Sequence, residues 1–258
     1  MLKGIIIEDD RRYHHMRTFL ENKGHYICTN SHVPKDLDFV IFPFAAELDQ
    51  KQYGHGFFAG LKKGVLIFSG IRSGYIDGMC KQFGLEYIVM MENRGVAEKN
   101  AVPTSEGVIA YLITSMARTL EGSRILIIGY GNCGRDLAKR LKALGVCVTA
   151  LVRNKEKEMT AAEDGVAALY LKDFHKLDFD VIINTVPSTV LPDEMLKDRL
   201  GTILIDISSK PHGFNIEKAK KLNEKSALLP GIPGKYAVKT AGEILGEYIH
   251  GILEGGAS

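Results

Sequence analysis

The sequence lacks the features that mark several classes of protein. No apolar run approaches the roughly 18 residues that a membrane span needs, which excludes an integral membrane protein. Its 33 basic and 31 acidic residues leave a formal charge of +2, which argues against a nucleic-acid binder that depends on a broad basic face. The first residues meet an acid at Glu8, so we expect a first strand there and not a signal peptide.

Cysteine and histidine are few and scattered. The four cysteines contain no CxxC pair and no metal-ligand spacing, which is typical of reduced, mostly buried thiols in a cytosolic chain: Cys28, Cys80, Cys133 and Cys147. The eight histidines include the pair His14 and His15, but no HxxxH or HExxH accompanies it. We therefore expect no metal.

What the chain does have is an alternation of apolar runs and helical patterns from end to end. This alternation predicts an α/β fold with parallel sheets. The runs are apolar throughout, as expected where helices cover both faces of a sheet. The predicted strands lie at residues 3–7, 25–29, 39–42, 65–68, 85–90, 124–128, 146–152, 167–171, 181–185, 202–207 and 227–229.

The stretch from Asn100 to Gly107 separates two halves without a Gly/Ser linker. Pro103 cannot continue a strand, and Thr104 or Ser105 can cap a helix that runs from 108 to about 120. We predict a Rossmann-like substrate domain at 1–103, completed by a C-terminal helix at 238–258. A bridging helix at 104–120 and a dinucleotide-binding domain at 121–237 complete the prediction. Two bridging helices would form a hinge for closure.

The glycine turn G-Y-G-N-C-G at residues 129–134 follows an apolar strand and opens an amphipathic helix. That context is what a dinucleotide-binding unit requires. Gly129 permits the tight turn, Gly131 lets the backbone approach a pyrophosphate, and Gly134 lets helix and strand pack closely. Asn132 and Cys133 lie at the start of the helix. The alternative is a glycine-rich turn without a ligand.

The end of the following strand bears on which nucleotide binds. An NAD site has an acid about 20 residues beyond the turn, and here Arg153 occupies that region. Arginine pairs with a 2′-phosphate in bidentate fashion, and Lys155 adds charge. NADP is therefore favoured over NAD. The alternative is a solvated arginine at a strand end.

Polar segments follow other predicted strands, at the edge where α/β proteins bind ligands. Asn184, Thr185, Val186 and Pro187 should lie against the ribose and nicotinamide. Ser208 joins the cofactor site, and Lys210 brings a cation near it. Each segment also has a simpler interpretation as a turn former or a solvated charge.

Five segments together resemble the family of dipicolinate synthase A subunits. They are S-G-I at 69–71, P-T-S-E-G at 103–107, the glycine turn, N-T-V-P-S at 184–188, and P-G-I-P-G at 230–234 with K-T-A-G at 239–242. The likeness extends from about Lys3 to Leu253. It implies two Rossmann-like domains bridged by two helices, similar to 2-hydroxyacid and alanine dehydrogenases.

The resemblance also implies an activity and a partner. The family makes dipicolinate from dihydrodipicolinate or a 4-hydroxytetrahydro precursor of the lysine branch, during sporulation. The A subunit is the nicotinamide-nucleotide-binding partner of a flavoprotein B subunit, in the cytoplasm of the mother cell. A homo-oligomer is a further expectation.

A dicarboxylate substrate and an aromatisation step define the remaining candidates. Glu106 is the candidate acid or base, with Lys239 beside it in the catalytic set. The substrate-binding candidates are Ser69, Gly70, Thr104, Ser105 and Lys210. Glu106 can instead serve a helix end. No His–Asp or His–Glu pair is visible, so two alternatives stay open: a non-catalytic NADP(H)-binding subunit, and another NADP-dependent reductase on the same fold.

Overall fold

The computed structural model of the protein describes residues 1–7, 10–28, 34, 36–45, 48–197 and 199–255. The chain divides into two compact units, Met1–Asn100 with Ala237–Ser258, and Ala101–Tyr236. Thr29 of the predicted second strand and residues 256–258 of the predicted last helix lie outside the described residues. The proposed hinge stays a prediction.

The elements alternate along the chain as the apolar pattern predicts. Those up to residue 115 are β1 (Lys3–Ile6), α1 (Arg11–Asn22), β2 (Tyr26–Cys28), β3 (Phe39–Ile41), α2 (His55–Ala59), β4 (Leu66–Ser69), α3 (Gly74–Phe83), β5 (Glu86–Val89), a 3-10 turn (Met90–Glu92) and α4 (Arg94–Ser115). Those that follow are β6 (Arg124–Ile128), α5 (Asn132–Ala143), β7 (Cys147–Leu151), α6 (Lys155–Glu163), β8 (Ala167–Leu169), a 3-10 turn (Leu171–Lys176), β9 (Val181–Asn184), α7 (Asp193–Leu196), β10 (Ile203–Asp206), α8 (Ile216–Leu222), β11 (Ala227–Leu228), a 3-10 turn (Ile232–Gly234) and α9 (Val238–Leu253).

The first unit contains a five-stranded parallel sheet in the order β2-β1-β3-β4-β5. Helix α9 packs on α1 in this unit, and glycines make the approach close. A Cβ added at Gly242 would lie 2.4 Å from the carbonyl oxygen of Arg12. Leu245 and Ile249 of α9 join the apolar core beneath the sheet.

The second unit contains a six-stranded parallel sheet in the order β11-β10-β9-β6-β7-β8. Alternate side chains of each strand enter two different cores, with Ile125 and Ile127 on one face and Leu126 and Ile128 on the other. The chain order reverses between β6 and β9, which is where open α/β sheets bind ligands. The predicted α/β class with parallel sheets is confirmed.

Helix α4 corrects the predicted start of the helix after residue 107. It begins at Arg94 and continues through Pro103, so neither Thr104 nor Ser105 caps a helix. A proline inside a helix costs about 3 kcal/mol or more, through one lost hydrogen bond and a clash with the preceding turn. Buried apolar residues on both sides of Pro103 offset this cost, since Val96 is 3% exposed and Val108 is fully buried.

Among the described residues, no helix is both long enough and apolar enough to cross a membrane.

Candidate functional site

Four strands of the second sheet end in one row, and this row positions the candidate site. Ile128, at the end of β6, is paired with Leu151 of β7 on one side and with Asn184 of β9 on the other. Asn184 is paired in turn with Asp206 of β10. The segments that follow these strands, including the glycine turn, therefore emerge side by side at one edge of the sheet.

Gly129 and Gly134 are required by packing, because a side chain at either position would clash with neighbouring protein atoms. Gly129 has φ +91°, and a Cβ there would lie 2.4 Å from Cγ2 of Val186. A Cβ at Gly134 would lie 2.3 Å from the carbonyl oxygen of Gly129. Helix α5 thus packs directly on the end of strand β6. The role predicted for Gly134 in close helix–strand packing is consistent with this contact.

Gly131 differs from Gly129 and Gly134, because a Cβ at this position would meet no atom of the described residues within 4 Å apart from its neighbours in the chain. Its backbone is extended, a conformation that any residue adopts, and no side chain caps the helix it precedes. The first N–H groups of α5 have no side-chain cap, and the positive end of the helix dipole lies at this terminus. An anionic group such as a pyrophosphate fits this place.

A largely buried carboxylate fixes the second residue of the turn. The hydroxyl of Tyr130 donates to Oδ2 of Asp164 at 3.0 Å, and Arg135 donates to both carboxylate oxygens at 2.6 and 3.0 Å. Lys139 lies 3.0 Å from Oδ1. The hydrogen bonds from Arg135, with help from Lys139 and Tyr130, hold the pKa of Asp164 below its usual range. Burial and the contact with Asp164 raise the pKa of Tyr130.

The two cations predicted at the 2′ position lie beyond strand β7. Arg153 is exposed and forms no ion pair within the described part of the chain. Lys155 is 74% exposed and pairs with Glu158 at 3.1 Å. Asn154, between them, caps helix α6 by accepting from the amide of Lys157. Arg153 therefore has a free guanidinium next to the row of strand ends.

Asn184 and Ser208, predicted to bind the cofactor, are buried and bonded to the protein. The side-chain amide of Asn184 donates to Asp206 at 2.9 Å and to Ser208 at 3.2 Å, and its oxygen accepts from the amide of Val186. The backbone and hydroxyl of Ser208 and the amide of Gly213 all donate to Asp206. Their polar groups therefore brace the loops after β9 and β10.

Sequence reasoning did not select Asp206, although it ends an apolar strand and is 1% exposed. A buried carboxylate needs several hydrogen-bond donors around it. An acidic residue at the end of an apolar strand was therefore the sequence signal that could have identified Asp206. Sequence reasoning also found no His–carboxylate pair. The structure brings one together: Nδ1 of His212 is buried, has no hydrogen-bond partner among the described residues, and lies 3.8 Å from Oδ1 of Asp206.

The remaining cofactor candidates are distributed around the turn. Thr185 donates its hydroxyl to the carbonyl oxygen of Ile128 at 2.8 Å, which ties β9 to β6. Pro187 and Asn132 are exposed. Burial raises the pKa of the Cys133 thiol, which also contacts Thr104.

The candidates on α4 lie in mid-helix rather than in a first turn. Glu106 is 56% exposed, and one of its oxygens is 3.4 Å from Nη1 of Arg140. Thr104 and Ser105 are 7% and 1% exposed, and the hydroxyl of Ser105 has no hydrogen-bond partner among the described residues. Lys210 is exposed after β10.

Three substrate or catalytic candidates belong to the first unit. Ser69 is buried at the end of β4, with its hydroxyl 2.8 Å from the carbonyl oxygen of Ile71 and 2.6 Å from the hydroxyl of Tyr87. Gly70 leaves room for the ring of Phe44, 2.3 Å from where a Cβ would stand. Lys239, in the first turn of α9, is 73% exposed and pairs with Glu243 at 3.9 Å.

Comparison with known proteins relates the chain to a dehydrogenase domain family and to the A subunits of dipicolinate synthase. Residues 80–200 match the family described as D-isomer specific 2-hydroxyacid dehydrogenase, NAD binding domain. The A subunit of dipicolinate synthase from Bacillus subtilis is 32% identical over 191 residues, which are 73% of this chain and 64% of that protein. This chain therefore spans less than two thirds of that relative.

Two solved structures extend the similarity over nearly the whole chain. The A chain of dipicolinate synthase from Bacillus subtilis is 26% identical, with a TM-score of 0.85 over 98% of this chain and 96% of that chain. The A subunit from Bacillus halodurans is 25% identical, with a TM-score of 0.87 over 98% and 97%. The chain is a relative of the dipicolinate synthase A subunits. The resemblance predicted from the sequence motifs is confirmed, and the dehydrogenase-type domain supports a nicotinamide dinucleotide as the cofactor.

Proposed function

We propose that the chain is the nicotinamide-nucleotide-binding subunit of a dipicolinate synthase, acting with a flavoprotein B subunit. It would convert dihydrodipicolinate, or its 4-hydroxytetrahydro precursor, to dipicolinate. The observation that carries this proposal is the open space at Gly131 before an uncapped helix, in a relative of the dipicolinate synthase A subunits. Open space there has no use in packing, and it suits a pyrophosphate.

NADP is the proposed nucleotide, and the support comes from Arg153. Its guanidinium is exposed and unpaired among the described residues. The next residue, Asn154, caps helix α6 and carries an amide, so it offers no carboxylate to a ribose hydroxyl. A guanidinium in this setting recognises a phosphate in bidentate fashion.

The chemistry requires hydride removal, and loss of water as well for the hydroxylated precursor. A bound nicotinamide nucleotide supplies the hydride acceptor. Lys210 and Lys239 are the proposed partners of the substrate carboxylates. Glu106 is the proposed acid or base, and His212, beside the buried Asp206, is a second group able to move a proton.

A non-catalytic NADP(H)-binding subunit is the second candidate. The observation in its favour is that several proposed substrate groups already have protein partners: Glu106 pairs with Arg140, and the Ser69 hydroxyl bonds within its own unit. Turnover assays with dihydrodipicolinate, on the purified chain alone and with the flavoprotein partner, separate the two. Under the second candidate another chain does the chemistry, so turnover would require the partner and would survive loss of this chain's acid–base candidates, as in Glu106→Gln and His212→Gln.

Arg153→Asp tests the nucleotide preference. Losing charge-assisted hydrogen bonds of about 1.5–3 kcal/mol should weaken NADP(H) binding roughly 10- to 100-fold and improve NAD(H) relative to it. Calorimetric titration with both nucleotides measures the ratio. Lys220→Asp is the matched control, because it makes the same charge change at an exposed site on α8. Equal NADP(H) affinity in the two variants would contradict the role of Arg153.

A further inference from the structure

Three side chains of the types that ligate metal ions lie close together in the first unit, outside the proposed nucleotide site. His25 immediately precedes edge strand β2, and His250 lies in the last turn of α9. Glu254 caps the C-terminal end of that helix, four residues after His250. Residues four apart lie on the same face of a helix, so His250 and Glu254 both face the neighbourhood of His25.

The distances are close to those of a coordination sphere. Nε2 of His25 lies 3.0 Å from Nδ1 of His250, and one ligand atom from each of the three residues lies within 4.8 Å of the others. Tetrahedral zinc with bonds of about 2.0–2.1 Å holds its ligand atoms about 3.3 Å apart. The imidazole nitrogens must separate by only a few tenths of an ångström. The exposed Glu254 has the rotamer freedom to approach.

The two histidines do not satisfy each other completely. A hydrogen bond between their rings uses one nitrogen of each. His25 is 5% exposed, and its other ring nitrogen, Nδ1, is buried with no partner among the described residues. An ion bound between Nε2 of His25 and Nδ1 of His250 would replace the hydrogen bond between the rings, and Nδ1 of His25, on the other side of its ring, would keep the ring proton.

We propose that His25, His250 and Glu254 form a binding site for a zinc-class divalent transition-metal ion, with water as the fourth ligand. Two imidazoles and one carboxylate are a ligand set that suits Zn²⁺ and, among the spectroscopic substitutes, Co²⁺. The ion would fasten the end of α9 to the edge of the first sheet. The site is independent of the function proposed above, because its residues belong to neither the nucleotide nor the substrate candidates.

A cobalt titration tests the site. Tag-free protein is used in a Cys147→Ser background, because Cys147 is exposed and thiolates bind the same ions. We expect one equivalent of Co²⁺ to give the intense visible absorption of a tetrahedral site, and Zn²⁺ to displace it. His250→Gln should abolish the signal, and Glu254→Gln should weaken Co²⁺ binding at least about tenfold, as loss of one charged ligand predicts.

The matched control is the double variant His14→Gln/His15→Gln, which removes two histidines from α1 and should bind like the parent. Glu254 is exposed, so its variant keeps the test valid even if a histidine variant folds poorly. A parent protein with no stoichiometric tetrahedral signal up to about 100 μM Co²⁺ would overturn the proposal. So would an unchanged signal in folded His250→Gln.

Discussion

Replacing Gly131 and Gly134 in turn by alanine separates ligand binding from packing within one turn. In Gly131→Ala the new methyl group enters open space, because none of the described residues beyond its chain neighbours comes within 4 Å of it. The extended backbone at this position accepts alanine without strain. The lower N-cap preference of alanine costs roughly 1 kcal/mol, and the reduced entropy of the unfolded chain returns about 0.4–1 kcal/mol. The melting temperature should therefore stay nearly unchanged.

Nucleotide affinity, unlike the melting temperature, should change strongly in Gly131→Ala. The methyl group of the new alanine would lie where the pyrophosphate is expected to approach the backbone. A loss of about 3 kcal/mol of binding free energy corresponds to roughly 100-fold weaker binding. In Gly134→Ala the methyl group would lie 2.3 Å from the Gly129 carbonyl oxygen, so helix α5 must move by about an ångström. Overpacking of this kind costs about 1–3 kcal/mol, which is roughly 3–10 °C of melting temperature.

Thermal unfolding with and without nucleotide, together with calorimetric titration, measures both effects. The expected pattern is a Gly131→Ala protein of normal stability that binds the nucleotide roughly 100-fold more weakly, and a less stable Gly134→Ala protein. Wild-type nucleotide affinity in Gly131→Ala would refute the placement of the pyrophosphate over this turn. An unchanged melting temperature in Gly134→Ala would refute the packing argument.

Two further predictions concern a largely buried carboxylate and the proton-transfer groups. Asp164→Asn should lower the free energy of unfolding at pH 7 by about 2 kcal/mol, because charge-assisted bonds from Arg135 are lost. The pKa of Asp164 is lower in the folded state, so the stabilising effect of its carboxylate is present above the unfolded pKa near 3.8 and is lost as the pH falls below that value. Urea unfolding at several pH values should therefore show the difference in stability between wild type and Asp164→Asn shrinking below pH 3.8. A difference that stays constant with pH would contradict this linkage. Glu106→Gln should abolish turnover with the flavoprotein partner present while melting changes little, since a half-exposed ion pair contributes at most about 1 kcal/mol. Retained turnover in Glu106→Gln, with loss in His212→Gln, would transfer the acid–base role to His212.

The sequence alone was sufficient for the α/β class and the position of the glycine turn. Both depend on short-range information. The apolar run at residues 125–128 is typical of a strand buried on both faces, and the φ of +91° at Gly129 is a local requirement for glycine. The motif therefore indicated the turn between β6 and α5 before any contact was known, and nucleotide binding at this turn stays a prediction.

Helix α4 shows where local signals were insufficient. Pro103 is a strong local signal for a break, and it predicts a helix that begins only at about residue 108. The helix continues because Val96 on one side and Val108 on the other are both buried in apolar cores. The free energy of that burial depends on distant segments, which no window of sequence around Pro103 contains.

The hydrogen-bond partners of the polar side chains were decided by the tertiary structure. The sequence predicts a cofactor contact for Asn184, which stays a prediction, whereas its hydrogen bonds to Asp206 and Ser208 depend on the register of β9 and β10. His25 and His250 are 225 residues apart, and the packing of α9 against α1 brings them together. Strand and helix periodicity follow from local backbone geometry, whereas the partner of a polar side chain is decided by which distant elements pack together.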